Sequence, residues 1–96
     1  MGMPAARFGD AGLPDCGPYV IATGSTTVSI DGRPAARVGD TTSPHPAKKF
    51  KCKPHVAPIT SGSSSVYIDG RPAAKFGSSV LLCTVIVSGS SSVFVE

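Results

Sequence analysis

Two stretches of this chain are near copies of each other, and that repetition constrains the fold more than any single residue does. Residues 24–40 read GSTTVSIDGRPAARVGD and residues 62–78 read GSSSVYIDGRPAAKFGS. In each copy a short alternating segment (26–30, 64–68) runs into Asp31-Gly32 or Asp69-Gly70. Such a dipeptide favours a type I′ turn, whose two central residues both need positive φ. Each copy therefore predicts a β-hairpin. A third copy is split between the two ends: residues 89–96 read GSSSVFVE, the first half of the unit, and residues 3–10 read MPAARFGD, the second. With the ends side by side, the halves complete a third unit and the chain closes into a ring of three, like a circularly permuted array.

Strand periodicity then assigns faces. Val28, Ile30, Ala36 and Val38 point one way in the first unit, Val66, Ile68, Ala74 and Phe76 in the second, and Val93, Val95, Ala6 and Phe8 in the third. These residues are the expected core. Arg7, Arg37 and Lys75 fall at equivalent places on the opposite face and are expected to be solvated rim charges. Pro4, Pro34 and Pro72 cannot donate to a ladder, so they mark the limits of the hairpins. The turn glycines Gly32 and Gly70 precede their prolines by two residues.

Composition agrees with an all-β chain. Gly (11) and Pro (9) in 96 residues interrupt the sequence too often for a long helix, and with no Trp the large apolar side chains are mostly Val and Ile. A single domain of this size, spanning 1–96, buries only about 60–65% of the surface its unfolded chain exposes, so its thin core calls for a staple. The odd number of cysteines, 3, argues against a disulfide framework. Residues 1–10 hold no apolar stretch of the kind a secretory signal carries, so synthesis in the cytoplasm without a signal peptide is expected. In that reducing compartment, Cys and His placed together more often bind metal. The apolar run at 80–87 is short and broken by Cys83 and Thr84, below the roughly 18 residues that span a bilayer.

A metal centre is also suggested by register. Cys16 lies eight residues before Gly24, His55 seven before Gly62 and Cys83 six before Gly89, and an Ile (Ile21, Ile59, Ile86) sits three before each glycine. A single cysteine in a β core is more often a small hydrophobe than a ligand. Three Cys/His residues at one register of a repeat are instead expected to converge on the pseudo-threefold axis. The longer second linker, 41–58, offers a fourth ligand, His45 or Cys52. Thiolates with imidazoles and no clustered carboxylates favour Zn²⁺ over Mg²⁺ or Ca²⁺. One zinc per chain with four protein ligands would be structural, because catalytic zinc keeps a position open.

Pro4-Ala5-Ala6-Arg7, Pro34-Ala35-Ala36-Arg37 and Pro72-Ala73-Ala74-Lys75, with their Gly-Ser-x-x-Val-x-Ile-Asp-Gly lead-ins, resemble the signature of the PAAR-repeat family across essentially the whole chain. The resemblance implies a small conical fold: three pseudo-threefold hairpin units closed by adjacent termini, with zinc near the apex. Its broad base would sit on a trimeric β-helical spike, one chain per trimer. The partner would be VgrG of type VI secretion systems or the central spike of contractile phage tails. The chain would be monomeric alone, would carry secreted effectors in some systems, and would meet a target membrane only transiently as it is delivered outside the cell. The metal set carried over by motif is Cys16, His45, His55 and Cys83. Family members usually combine three His with one Cys; here Cys16 stands in place of a His, and Ala57 and Pro58 stand where glycines are usual. No extension domain is expected in a chain of this length.

Other function classes fit less well. Lys48, Lys49, Lys51 and Lys53 beside Phe50 are the feature a zinc-dependent nucleic-acid-binding module would use. No recognition helix is available, however, and the net charge is only +3. No enzyme is expected: the serine runs at 63–65 and 90–92 and the residues Asp31 and Asp69 belong to repeat turns, and His55 is committed to the metal.

Overall fold

A computed structural model describes residues 2–13, 18–47, 53–81 and 84–96, which form short antiparallel strand pairs. The strands are β1 (Met3–Pro4), β2 (Ser29–Ile30), β3 (Arg33–Pro34), β4 (His45–Ala47), β5 (Lys53–His55), β6 (Tyr67–Ile68), β7 (Arg71–Pro72) and β8 (Phe94–Val95). No helix occurs among the described residues, so none is long and apolar enough to cross a membrane. The Asp-Gly dipeptides turn as expected. Asp31 and Asp69 both have φ of 54° and Gly32 and Gly70 both have 79°, the positive pair that lets two-residue loops join β2 to β3 and β6 to β7.

The ends of the chain complete the third unit. Met3 pairs with Val95 and Pro4 with Phe94, the same register as Arg33 with Ile30 and Pro34 with Ser29. Each proline is the last residue of its strand and offers its carbonyl to a neighbouring unit. Pro34 accepts from Phe8 N–H, Pro72 from Val38 N–H and Pro4 from Phe76 N–H, at 2.8–2.9 Å. Closer to the axis the bonds form a closed cycle. Ala36 donates to Ala6 at 3.0 Å, Ala6 to Ala74 at 3.0 Å, and Ala74 to Ala36 at 2.9 Å. One chain thus carries a threefold ring of backbone hydrogen bonds.

Around this ring the core forms two layers. Ala5, Ala35 and Ala73 pack with Ile30, Ile68 and Val95 on the hairpin side. Ala6, Ala36 and Ala74 pack with Ile21, Ile59 and Ile86, joined by Tyr19, Ala57 and Val80. This corrects the expected core in part: Ile30, Ile68, Val95, Ala6, Ala36 and Ala74 are buried, whereas Val28, Val93, Phe8 and Phe76 are exposed and Val38 and Val66 are half-buried. The reason is geometric. A two-residue strand is too short to carry its alternation onward, and at the axis both alanines of each pair turn inward to the two layers. The repeat glycines follow from the same crowding. A Cβ on Gly24, Gly62 or Gly89 would stand 2.5–3.0 Å from the carbonyl oxygen of Ala35, Ala73 or Ala5, which passes across it.

The arginines need a correction too. Arg7 and Arg37 are not solvated: their side chains are 11% and 12% exposed. Each guanidinium grips an aspartate three residues on through two parallel bonds of 3.0 Å, Arg7 to Asp10 and Arg37 to Asp40. Each then reaches a turn aspartate of another unit at 2.8 Å, Arg7 to Asp31 and Arg37 to Asp69. Asp31 also accepts the hydroxyls of Ser90 and Ser92, and Asp69 those of Ser25 and Thr27. At the third corner Lys75 and Ser78 replace the Arg and Asp, and among the described residues the local link is kept, Lys75 N–H to Ser78 Oγ at 3.0 Å.

Candidate metal centre

Both histidines stand on an antiparallel pair that grows out of the connection between the first two units. Thr41 bridges Pro58, and Thr42 N–H donates to the Ala57 carbonyl at 3.0 Å, which brings the two arms together. Strands β4 and β5 continue that pairing, with His45 directly opposite His55, Pro46 opposite Pro54 and Ala47 opposite Lys53. Directly opposed residues share a face of the pair. Accordingly the two imidazoles meet edge to face, their centroids 4.6 Å apart at 79°.

His45 is 1% exposed, while His55 is half-buried. Nδ1 of His45 lies 2.9 Å from the Ser43 carbonyl and 3.4 Å from Thr42 Oγ1. A carbonyl can only accept, so Nδ1 carries the proton, and in the neutral ring the lone pair sits on Nε2. Metal-bound histidines commonly show this arrangement, with the second nitrogen anchored on a backbone carbonyl. Thr42 is held in turn, since its hydroxyl accepts Ala57 N–H at 3.2 Å. Tyr19 stacks on the His45 ring at 4.3 Å and 22°.

Of the expected ligands, the structure brings His45 and His55 together. Cys16, Cys83 and the alternative Cys52 lie outside the described residues. Their described neighbours do meet: Leu13 N–H donates to the Val85 carbonyl at 2.8 Å, Tyr19 Oη is 2.9 Å from Thr84 Oγ1, and the Thr84 hydroxyl bonds to the Leu13 carbonyl. Among the described residues no group of three or more Cys, His, Asp or Glu could hold a metal ion. The donors in place are two imidazoles, one already oriented through Nδ1, and this chemistry fits a borderline ion such as zinc.

The carboxylates of Asp10, Asp31, Asp40 and Asp69 are committed elsewhere. Burial pushes the Asp10 and Asp40 carboxyls up, but hydrogen bonds from Arg7 and Ser88, and from Arg37 and Thr23, outweigh it and hold both below the usual carboxylate range. The hydroxyls of Ser90 and Ser92 hold Asp31 low, with Arg7 adding to the effect. Asp69 is lowered in the same way by Ser25 and Thr27 and then Arg37. The repeated serines build turns: Ser25, Ser63 and Ser90 each accept two backbone N–H groups, two and three residues on, at 2.9–3.1 Å.

Sequence reasoning missed Tyr19, Thr42 and Ser43, which surround His45. Tyr19 stands where the other units have Ala57 and Thr84, so the repeat carried no signal for it. Sequence reasoning also missed the Arg-Asp grips, for which the shared three-residue spacing in ARFGD and ARVGD was a signal.

The sequence matches the family model described as PAAR motif over residues 1–44 and 51–96. His45 falls in the gap between the two matched stretches, and Cys16, His55 and Cys83 fall within them. No curated protein matches the chain.

Proposed function

The chain belongs to the PAAR-motif family, and from that premise we propose that it is a structural tip that caps the end of a trimeric β-helical spike. The spike would be VgrG-like or the central needle of a contractile phage tail, with one chain per trimer. The observation that carries this reading is the cycle Ala6, Ala74, Ala36, which gives a single chain three similar faces around one axis. A monomer so built can offer each subunit of a true threefold trimer nearly the same contacts. It can also cover the trimer's exposed strand ends, which would otherwise recruit other chains.

The hairpin end supplies a suitable base. Tyr67 and Phe94 stand at equivalent strand positions and are 59% and 55% exposed, with Val28 and Val93 exposed beside them. The histidine pair belongs to the other side, since His45 stacks on Tyr19, a member of the isoleucine layer and not of the hairpin layer. We assign that side to the tip. One Zn²⁺ there would be held by His45, His55, Cys16 and Cys83, with Cys52 the alternative to His45. A closed four-ligand site would tie the linkers together and supply rigidity rather than catalysis. The protein would then be made in the cytoplasm, ride the spike outside the cell, and pass through a target envelope without residing in it.

Binding to a trimeric spike tests the reading. Tyr67→Asp with Phe94→Asp places charge in the proposed base and should abolish co-purification with the spike, while His55→Ala should leave co-purification in place. Retained binding in the Tyr67/Phe94 variant, with loss in the histidine variant, would reverse the assignment of base and tip.

A further inference from the structure

We propose that Tyr19 is a positioning residue of the metal centre, one that sets the His45 ring for ligation through Nε2 and couples it to the segments bearing Cys16 and Cys83. The inference rests on the reading of His45 as a ligand. Tyr19 is buried, 3% exposed, and lies nearly parallel to the imidazole at 4.3 Å. Its phenol also fills the space over Gly12, where a Cβ would stand 1.9 Å from Cζ and 2.2 Å from the hydroxyl oxygen. The ring therefore depends on a residue without a side chain beneath it.

The hydroxyl end carries the coupling. The Thr84 hydroxyl donates to the Leu13 carbonyl, so its oxygen is left to accept from Tyr19 O–H at 2.9 Å. Thr84 directly follows Cys83 in the chain, and Leu13 opens the stretch that contains Cys16. A line of bonds thus runs from the ring stacked on His45 to both cysteine-bearing segments. With Nδ1 committed to the Ser43 carbonyl, the stack further restricts rotation of the imidazole. Register alone does not call for a tyrosine at this position. Its counterpart by register, Ala57, is buried in the same layer with only a methyl group.

The test compares the full chain with Tyr19→Phe, Tyr19→Leu, Thr84→Val and His45→Ala. The readouts are Zn²⁺ affinity by chelator competition, the visible spectrum of the Co²⁺-loaded protein, and the melting temperature of the metal-free form. Tyr19→Phe and Thr84→Val each break the hydroxyl line and should weaken Zn²⁺ binding about 10-fold. Their double variant should lose little more than either alone, because both cut one line. Tyr19→Leu should lose more and alter the Co²⁺ band shape, and in Tyr19→Phe and Thr84→Val the melting temperature should fall further in the loaded form than in the metal-free form. Parent-like affinity and spectra in the Tyr19 and Thr84 variants, alongside metal loss in His45→Ala, would overturn the positioning role and leave the metal reading standing. Equal destabilisation of metal-free and loaded forms would reduce Tyr19 to packing and overturn it as well. If parent and His45→Ala alike bind neither ion, the metal reading falls and the inference with it.

Discussion

Ile21, Ile59 and Ile86 offer an energetic test of the threefold core. Each is at most 1% exposed, each donates its N–H to the residue closing the preceding turn (Asp10, Asp40, Ser78), and each accepts from a turn glycine (Gly9, Gly39, Gly77). Replacing one by Val removes a single buried methylene and keeps the β-branched backbone preference. Transfer of that group is worth about 0.8 kcal/mol, and incomplete collapse of the space left behind brings the expected cost to about 1 kcal/mol per site. In a domain of this size that lowers the melting temperature by roughly 4–8 °C. Urea unfolding followed by far-ultraviolet circular dichroism, at fixed zinc, should show three similar losses in midpoint with an unchanged slope. Because the three side chains share one layer, paired variants should depart from additivity by about 0.5 kcal/mol or more. The reasoning is refuted if one variant matches the parent while the other two lose about 1 kcal/mol, since equivalent positions cannot differ so much.

Other perturbations address the links between units. Arg37→Met keeps the apolar stem but removes the grip on Asp40 and the reach to Asp69, and should cost about 1–3 kcal/mol by thermal unfolding. Lys75→Met, at the corner with no aspartate three residues on, should cost less. The folded-state carboxyls of Asp10 and Asp40 are lowered, so their stabilisation is complete above the unfolded value near 4 and is lost as pH falls through the folded one. Melting temperatures measured between pH 5 and pH 2.5 should therefore fall more steeply for the parent than for the Asp10→Asn/Asp40→Asn variant, and parallel curves would contradict the assignment. Ser90→Ala deprives Ser92 and Val93 N–H of their acceptor and Asp31 of a donor, and should cost about 1–2 kcal/mol in chemical denaturation.

The ring of three was legible because the halves GSSSVFVE and MPAARFGD belong to one unit, and the Met3–Val95 and Pro4–Phe94 pairs follow once they are joined. The core was legible in part, at Ile30, Ile68, Val95, Ala6, Ala36 and Ala74. Ile30 and Ile68 obey the alternation, but Ala35 and Ala36 are consecutive and both fully buried, because the chain there crosses the axis between two layers. Period-2 reasoning cannot register a backbone covered by neighbouring units on both sides. His45 and His55 were read as ligands of one centre, with Cys52 the alternative to His45, but not as a directly opposed pair. Register pointed to ligands at matching places in three linkers, whereas these histidines face each other across the strand pair β4–β5 of the longer second linker. The arginine grips escaped because an alternating pattern places Arg7 outward, while the bend at Phe8-Gly9 folds Asp10 back onto it.

The claim on which the account turns is that one chain meets three spike subunits at once. Native mass spectrometry of the chain co-expressed with a trimeric β-helical spike measures this directly. The account predicts a complex of one chain with three spike subunits and no higher occupancy when the chain is in excess. A complex carrying three copies of the chain would contradict it.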